Sequence, residues 1–169
     1  MDLYEAIRKR CSVRAYQDRA VEDDKLQRVL EAGRLAPSAR NRQSWKFVVV
    51  RDAKIRKDLA GAADQPFVGQ APVVLAAVGL TPEDKMYCGV PTDPVDCAIA
   101  LEHIALAAVA EGLGTCWVGH FKQDECRRIL GVPAGAKIIE LMPLGYPAAP
   151  GRQNARKPLA EIICQDRYL

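Results

Sequence analysis

Two arginines and a serine alternate along a short segment near the start of the chain, as Arg10, Ser12 and Arg14. In an extended segment alternate side chains point to the same side, so two guanidinium groups and one hydroxyl converge. That set suits a phosphate group or the anionic edge of a ring, because each guanidinium donates a fork of hydrogen bonds. A basic segment exposed to solvent is the alternative, which these three residues alone do not exclude.

A second polar group follows a predicted helix, as Pro37, Ser38, Asn41 and Gln43. Its side chains offer hydrogen bonds without charge, which suits the edge of a neutral heterocycle, although a plain connecting loop is the alternative. Far along the chain, Arg156 precedes an apolar segment. By itself this arginine indicates no more than a surface charge.

The segment TCWVGHF is a predicted short buried strand that leads to Gly119, where the backbone can approach a ligand closely. A simple turn is the alternative for this glycine. His120 follows it and is a weaker candidate for a place near a ligand. His103 lies on a predicted helix and is interpreted as a structural residue.

Six cysteines are spread along the chain without a Cys-x-x-Cys pair, at positions 11, 88, 97, 116, 126 and 164. This spacing argues against a zinc site, an iron–sulfur site and a dithiol redox centre, so no metal ligand is predicted. The charged N-terminus lacks the apolar stretch of a secretory signal, which predicts a cytoplasmic location with reduced thiols. Cys11 has cationic neighbours that favour a thiolate, but it is interpreted as an inert thiol.

The composition is that of an ordinary globular protein, with 49% hydrophobic and 27% charged residues in a chain of 169. That apolar content excludes a disordered chain and predicts a single domain over residues 1–169. The net charge of +3 is too small to indicate nucleic-acid binding.

The chain is organised around residues 94–121, which begin with a predicted helix that is apolar on nearly all sides. One narrow polar stripe remains, because Asp96, His103 and Glu111 fall within about 80° of one another around the helix axis. Such a helix needs cover on most sides, from its own sheet or from a second chain. It is too short, and carries too many ionisable groups, to span a membrane.

Hydrophobic periodicity and turn residues predict the remaining elements. The predicted helices cover residues 3–9, 22–36, 53–60, 95–110 and 123–130, and the predicted strands cover residues 45–50, 71–78, 115–119 and 137–144. A long loop over residues 81–93 has the length of a lid. Because the connections neither repeat as βαβ units nor carry a Gly-x-Gly-x-x-Gly fingerprint, an α+β fold with a sheet between helices is predicted.

The order of these segments resembles that of the FMN-dependent nitroreductase family. The segments that carry the resemblance are RCSVR, APSARNRQSW, GLGTCWVGHF, LGYP and ARKPLAEII, which together span nearly the whole chain. The chain is similar to a short member of that family. The resemblance implies an α+β sandwich with a mostly antiparallel sheet, and an intertwined homodimer with two FMN sites at its interface. The final apolar segment, residues 159–164, is then expected to add to the partner's sheet.

The resemblance also assigns cofactor contacts by position. Arg10, Ser12 and Arg156 are implied ligands of the FMN phosphate, and Arg14 lies near the ribityl or pyrimidine part. The loop that begins at Pro37 lines the ring, usually from the other subunit, and a backbone N–H near Gly119 reaches N5. The full set of implied contacts is Arg10, Cys11, Ser12, Val13, Arg14, Pro37, Ser38, Asn41, Gln43, Trp117, Val118, Gly119 and Arg156.

The activity that the resemblance implies is electron transfer from NAD(P)H, through FMN, to nitro compounds, quinones or similar acceptors by a ping-pong mechanism. In such a protein the cofactor carries the chemistry, while the chain binds and orients it. No side-chain general acid is evident in the sequence, so no catalytic residue is predicted. Two alternatives stay open: a non-catalytic FMN-binding sensor or partner protein, and a dehalogenase or flavin-consuming enzyme on the same fold.

Overall fold

The structure is a computed structural model, and it describes residues 1–151 and 155–168. The helices are α1 (Leu3–Lys9), α2 (Asp23–Arg34), α3 (Ala53–Ala63), α4 (Pro66–Gln70), α5 (Thr92–Ala110) and α6 (Gln123–Leu130). The strands are β1 (Trp45–Val50), β2 (Val73–Gly79), β3 (Gly114–Thr115) and β4 (Lys137–Gly145). The predicted mixture of helices and strands is confirmed, and the bounds of α1, β1 and α6 agree with the prediction.

Local signals explain where several of these elements begin and end. The side chain of Asp2 caps α1 by accepting a hydrogen bond of 2.8 Å from the backbone N–H of Glu5. Asp52 caps α3 in the same way, at 2.9 Å from the N–H of Ile55. Gly131 ends α6 with a φ of 66°, a left-handed conformation that glycine adopts without a steric penalty.

The sheet has the strand order β1-β2-β4-β3, and every pair of neighbouring strands is antiparallel. The pairing of β1 with β2 runs from Trp45 opposite Gly79 to Val50 opposite Val74. All seven residues of β2 are buried, as expected for a central strand that is covered on both faces. The predicted antiparallel sheet is therefore confirmed.

Helices cover the two faces of the sheet, and each face has its own hydrophobic core. The core beneath α2 and α5 includes Leu26, Val29, Leu75, Leu101, Ile104 and Met142. The core beneath α3, α4 and α6 includes Leu59, Ala63, Val68, Val74, Cys126 and Leu141. The helices α2 and α5 approach closely at Gly33, where a Cβ atom would lie 2.7 Å from Cδ1 of Ile104.

Helix α5 is buried on one side only. The helix begins at Thr92, three residues before the predicted start. The side of the helix that faces the sheet and α2 is fully buried. Its opposite side is only half-buried, along Val95, Ile99, Glu102 and Leu106. Within the described residues, no helix has both the length and the hydropathy needed to cross a membrane.

Helix α1 exposes a second apolar surface. Its outer side presents Leu3, Tyr4 and Ile7, which are 62%, 71% and 51% exposed, while Ala6 faces inward. Together with the half-buried side of α5, this leaves more apolar surface uncovered than scattered single residues would.

The predicted strand over residues 115–119 is shorter in the structure. Only Gly114–Thr115 forms a continuous strand with β4, and a single bridge then joins Val118 to Leu141. The interruption falls opposite Pro143, which accepts a hydrogen bond of 3.3 Å from the N–H of Cys116 but has no N–H to return.

Two further segments differ from the sequence-based expectation. Helix α4 was not predicted from the sequence. It begins at Pro66, directly after a residue in an extended conformation, and the first position of a helix is the one that proline favours. In the final segment only Leu159–Glu161 forms a short 3₁₀ turn, and the segment is exposed. Its predicted role in a partner's sheet stays a prediction.

Candidate functional site

The segment with alternating arginines is extended and lies beside β3. Ser12 forms a parallel bridge with Thr115, and the N–H of Val13 donates a hydrogen bond of 2.9 Å to the carbonyl of Thr115. Arg10 follows α1 directly with a ψ of 123°, which turns the chain out of the helix. The extended conformation that would make Arg10, Ser12 and Arg14 converge is therefore present.

These three side chains meet around the buried thiol of Cys116. Burial raises the pKa of this thiol and the nearby carboxyl of Glu140 adds to the rise, while Arg14, a hydrogen bond with Ser12, and Arg10 act in the opposite direction. Both guanidinium groups and the hydroxyl thus lie near this thiol. The arrangement offers an anion several donors that are held by the backbone of a sheet edge.

The intervening residues face the other way. Val13 is buried against Gly114, where a Cβ atom would lie 2.5 Å from Cγ2 of Val13. The thiol of Cys11 packs against Gly151, which likewise has no room for a side chain. Cys11 and Val13 therefore support the segment from behind, and only their backbone is available to a ligand on the arginine side.

Glu102, on the half-buried side of α5, connects Arg10 to Trp117. Its Oε1 atom lies 3.8 Å from Nε of Arg10, whose side chain is only 19% exposed. Burial raises the pKa of Glu102, and Arg10 together with a hydrogen bond from Trp117 opposes that rise. The carboxylate thus holds one of the predicted phosphate ligands next to the predicted ring-binding stretch.

The polar loop after α2 has an unusual backbone. Arg40, Asn41 and Gln43 all have positive φ values, of 55°, 54° and 53°. Side chains within the loop stabilise it: the N–H of Gln43 donates to Oγ of Ser38 at 2.9 Å, and Nε2 of Gln43 donates to Oδ1 of Asn41 at 3.2 Å. Several left-handed residues in one short loop are costly and are typical of ligand-binding sites.

Helix α5 and the neighbouring loop fix this polar loop from outside. The buried carboxylate of Asp96 accepts hydrogen bonds from the N–H of Ala39 at 3.0 and 3.2 Å. An ion pair joins Arg42 to Asp84 in the predicted lid. A cavity of about 250 Å³ between the two loops is lined by Ala39, Arg40, Arg42, Asp84, Lys85, Met86, Tyr87 and Thr92.

The arginine segment and the polar loop contact different sides of α5. The loop is bound at Asp96 and the arginine segment at Glu102, six residues later. Six residues correspond to a rise of about 9 Å and to a separation of about 120° around the helix axis. Within one chain, the two predicted halves of the site therefore contact different sides of one helix.

The predicted ring-binding stretch lies at the edge of the sheet beside the arginine segment. Val118 is buried and exchanges hydrogen bonds with Leu141 at 2.9 and 3.1 Å, while Gly119 and His120 are exposed. Trp117 is half-buried. The backbone at Gly119 is therefore open to solvent at the same edge of the sheet as the arginine segment.

Glu140 is a functional candidate that sequence reasoning missed. Its two carboxyl oxygens would lie 3.5 and 3.6 Å from a Cβ atom placed on Gly119. Burial raises the pKa of this carboxyl to about 7. The sequence did contain a signal for it: Glu140 is the only charged residue between Ile138 and Gly145, in an otherwise apolar strand.

The remaining candidates lie in less informative positions. Pro37 is exposed at the start of the polar loop. Arg156 is exposed and donates a hydrogen bond of 3.3 Å to the carbonyl of Ala155, so its approach to Arg10 stays a prediction. Nδ1 of His103 lies 3.3 Å from the carbonyl of Ala32, as expected for a structural histidine.

Known proteins resemble this chain in sequence and in structure. A sequence model of the Nitroreductase family matches residues 7–66 and 60–146. A protein of Thermus thermophilus named NADH dehydrogenase is 31% identical over 195 residues, which cover 96% of this chain and 95% of that protein. A protein of Bacillus subtilis named an NAD(P)H FMN reductase is 30% identical over 178 residues, which cover 94% of this chain and 71% of that protein.

A solved structure agrees over the full length of the chain. The crystal structure of a nitroreductase family protein from Clostridium difficile superposes with a TM-score of 0.89 at 30% sequence identity. The match covers 99% of this chain and 100% of that one. The arrangement of helices around the antiparallel sheet is therefore shared with that protein.

Proposed function

Because the chain belongs to the nitroreductase family, we propose that it passes electrons from NAD(P)H, through FMN, to a small organic acceptor such as a quinone or a nitro compound. The observation that carries the proposal is the convergence of Arg10, Ser12 and Arg14 next to the exposed backbone at Gly119. One edge of the sheet thus offers both an anion site and an exposed backbone.

The residues present fit the cofactor. The Arg10 and Arg14 guanidinium groups and the Ser12 hydroxyl match the charge and the hydrogen-bonding needs of a phosphate group. The side chains in the loop at Ser38 and Asn41 are neutral donors and acceptors, as a flavin edge requires. Bound FMN would supply the capacity to take up two electrons and release them to a second substrate.

The chain's own residues position this cofactor and set its electrostatics. Arg10 would hold the phosphate, and Arg14, near the ribityl or pyrimidine part, would place positive charge where negative charge develops on reduction, which would favour the reduced form. Glu102 holds Arg10 and Trp117 in fixed positions, and Asp96 holds the strained loop. The site is thus preorganised by carboxylates of α5.

The complete site is formed by two copies of the chain. The polar loop and the arginine segment contact different sides of α5, and in the family that this chain resembles such a loop serves the cofactor of the other subunit. The half-buried side of α5 and the exposed apolar side of α1 supply a contact surface for that second copy. A homodimer related by a two-fold axis then carries two equivalent sites.

A mixed dimer tests this sharing of the site. An Asn41→Ala chain and an Arg10→Ala chain each form homodimers with two damaged FMN sites. If the loop serves the partner's FMN, the heterodimer has one doubly damaged site and one intact site, and recovers about half of the wild-type FMN capacity. Two equally weakened sites in the purified heterodimer would place both segments in the same site of one chain.

The experiment that tests the function is spectroscopic and kinetic. We expect the purified protein to show flavin absorption bands, or to acquire them with added FMN, and to oxidise NAD(P)H when a quinone is present. Binding of FMN without NAD(P)H oxidation would favour the sensor or partner-protein alternative. A colourless protein that ignores added FMN would refute the proposal.

A further inference from the structure

The carboxyl of Glu140 stands out because no role in binding has been assigned to it. Strand β4 places it over Gly119, with both oxygens 3.5–3.6 Å from the position of an added Cβ atom. Within residues 1–151 and 155–168 this carboxyl forms no hydrogen bond or ion pair, although it is half-buried. Burying a carboxyl without such a partner costs free energy, and residues of this kind cluster at functional sites.

We propose that Glu140 is the proton donor of the second half of the reaction, giving its proton to the acceptor as the acceptor is reduced. This inference rests on the proposed function, since it requires an acceptor bound beside Gly119. It assigns a catalytic role to a strand residue, where the sequence indicated none.

The surroundings of Glu140 contain few groups that would hold it ionised. Opposite it, β2 contributes Ala77, which cannot titrate. The segment that packs over it contributes the buried thiol of Cys116 and the exposed His120. Arg10 and Arg14 act on the thiol of Cys116, but burial is the one cause that shifts the pKa of Glu140 itself.

The protonation state at neutral pH follows from this burial. Because the folded-state pKa of Glu140 is raised to about 7, the carboxyl is largely protonated below that pH and loses its proton as the pH rises through 7. A general acid works best when its pKa lies near the working pH. The donor role therefore predicts activity that declines above pH 7.

The step balances for a quinone acceptor. NAD(P)H loses two electrons and one hydrogen nucleus, and the quinone gains them as hydride, becoming an anion. The O–H bond of Glu140 breaks while a new O–H bond forms on the anionic oxygen, giving the hydroquinone. The carboxylate of Glu140 then regains a proton from solvent, so one solvent proton is consumed in each turnover.

Two acceptors with different proton requirements test the role. Reduction of a quinone needs protons, whereas ferricyanide takes single electrons and no proton. In the FMN-loaded protein, Glu140→Gln should lower the rate with benzoquinone on the order of a hundredfold, the contribution typical of a general acid. The rate with ferricyanide and the dissociation constant of FMN should stay at the wild-type values.

Control variants separate the donor role from a structural one. Glu125→Gln changes a carboxylate on α6 and should leave both rates unchanged. Glu140→Asp keeps the acid but shortens its reach, so its quinone rate should fall between those of the wild type and Glu140→Gln. An equal fall with both acceptors in Glu140→Gln would mean that the residue only supports the site, and would overturn the proposal.

A carboxyl titration gives a readout that does not depend on turnover. With glutamate labelled by ¹³C at the side-chain carboxyl, the wild-type protein should show one signal that titrates near pH 7, and Glu140→Gln should lack it. A titration near the ordinary glutamate value, or an unchanged quinone rate in Glu140→Gln, would overturn the donor role alone. A wild-type protein that binds no FMN would overturn the proposed function and the donor role with it.

Discussion

Removing the carboxylate of Asp96 should release the strained loop that we assign to the cofactor. Asp96 is 4% exposed and accepts hydrogen bonds from the N–H of Ala39 at 3.0 and 3.2 Å. The loop that follows has three non-glycine residues with positive φ, so its conformation depends on such external contacts. In Asp96→Ala the loop is expected to sample other conformations.

The size of the effect follows from the contact that is lost. A hydrogen bond to a charged group contributes about 1.5–3 kcal/mol, and its loss leaves the N–H of Ala39 without its partner. If about 2 kcal/mol of loop stabilisation disappears, the binding-competent conformation becomes roughly 30-fold less favourable. The dissociation constant of FMN in Asp96→Ala should rise by roughly ten- to thirtyfold.

Fluorescence titration with FMN measures this change, and hydrogen exchange at residues 38–43 reports the loop directly. Asp124→Ala is a suitable control, because Asp124 is 97% exposed on α6, on the other face of the sheet. Asp96→Asn keeps an oxygen that can accept one hydrogen bond and should have a smaller effect. Faster exchange without any loss of FMN affinity would refute the assignment of this loop to the cofactor.

Two further predictions concern packing and the phosphate ligands. Gly33→Ala should lower the free energy of unfolding, measured by thermal unfolding, by about 1–3 kcal/mol, because the added methyl group collides with the side chain of Ile104. Gly61→Ala is its control: no atom lies within 4 Å of the added methyl group, so the same assay should show no destabilisation. Arg10→Ala and Arg156→Ala should each weaken FMN binding roughly ten- to a hundredfold by fluorescence titration, for loss of a charge-assisted contact. Arg128→Ala, on the exposed side of α6, serves as their control, and unchanged affinity in both variants would place the phosphate elsewhere.

Local sequence signals were sufficient for most elements of the fold. Periodicity and a terminal glycine located α6, and β-branched and aromatic residues located β1. The length of the third strand was not predictable in this way, because Pro143 interrupts it from a strand that lies far away in sequence. Pairing partners across a sheet are set by tertiary structure, which a single-strand pattern does not contain.

The candidate site was predictable to a similar extent. Alternation along an extended segment predicted that Arg10, Ser12 and Arg14 converge, and in the structure all three lie near the thiol of Cys116. The carboxylates that hold these groups were not predictable, because Glu102 is 92 residues from Arg10 and Asp96 is 57 residues from Ala39. Glu140 was missed since its raised pKa arises from burial, which depends on the packing of several segments.

The charged residues of α5 show most clearly what the sequence left open. Asp96 was interpreted as part of one narrow polar stripe with His103 and Glu111, but the contacts of the helix's carboxylates were not predicted, and each carboxylate contacts a different segment. Asp93 accepts hydrogen bonds of 2.8 Å from the N–H and the hydroxyl of Thr81, Asp96 binds the loop at Ala39, and Glu102 lies next to Arg10.

One rigid helix therefore fixes the predicted lid, the strained loop and the anion site relative to one another. These contacts lie on several sides of α5, and its half-buried side is the surface that we propose a second chain covers.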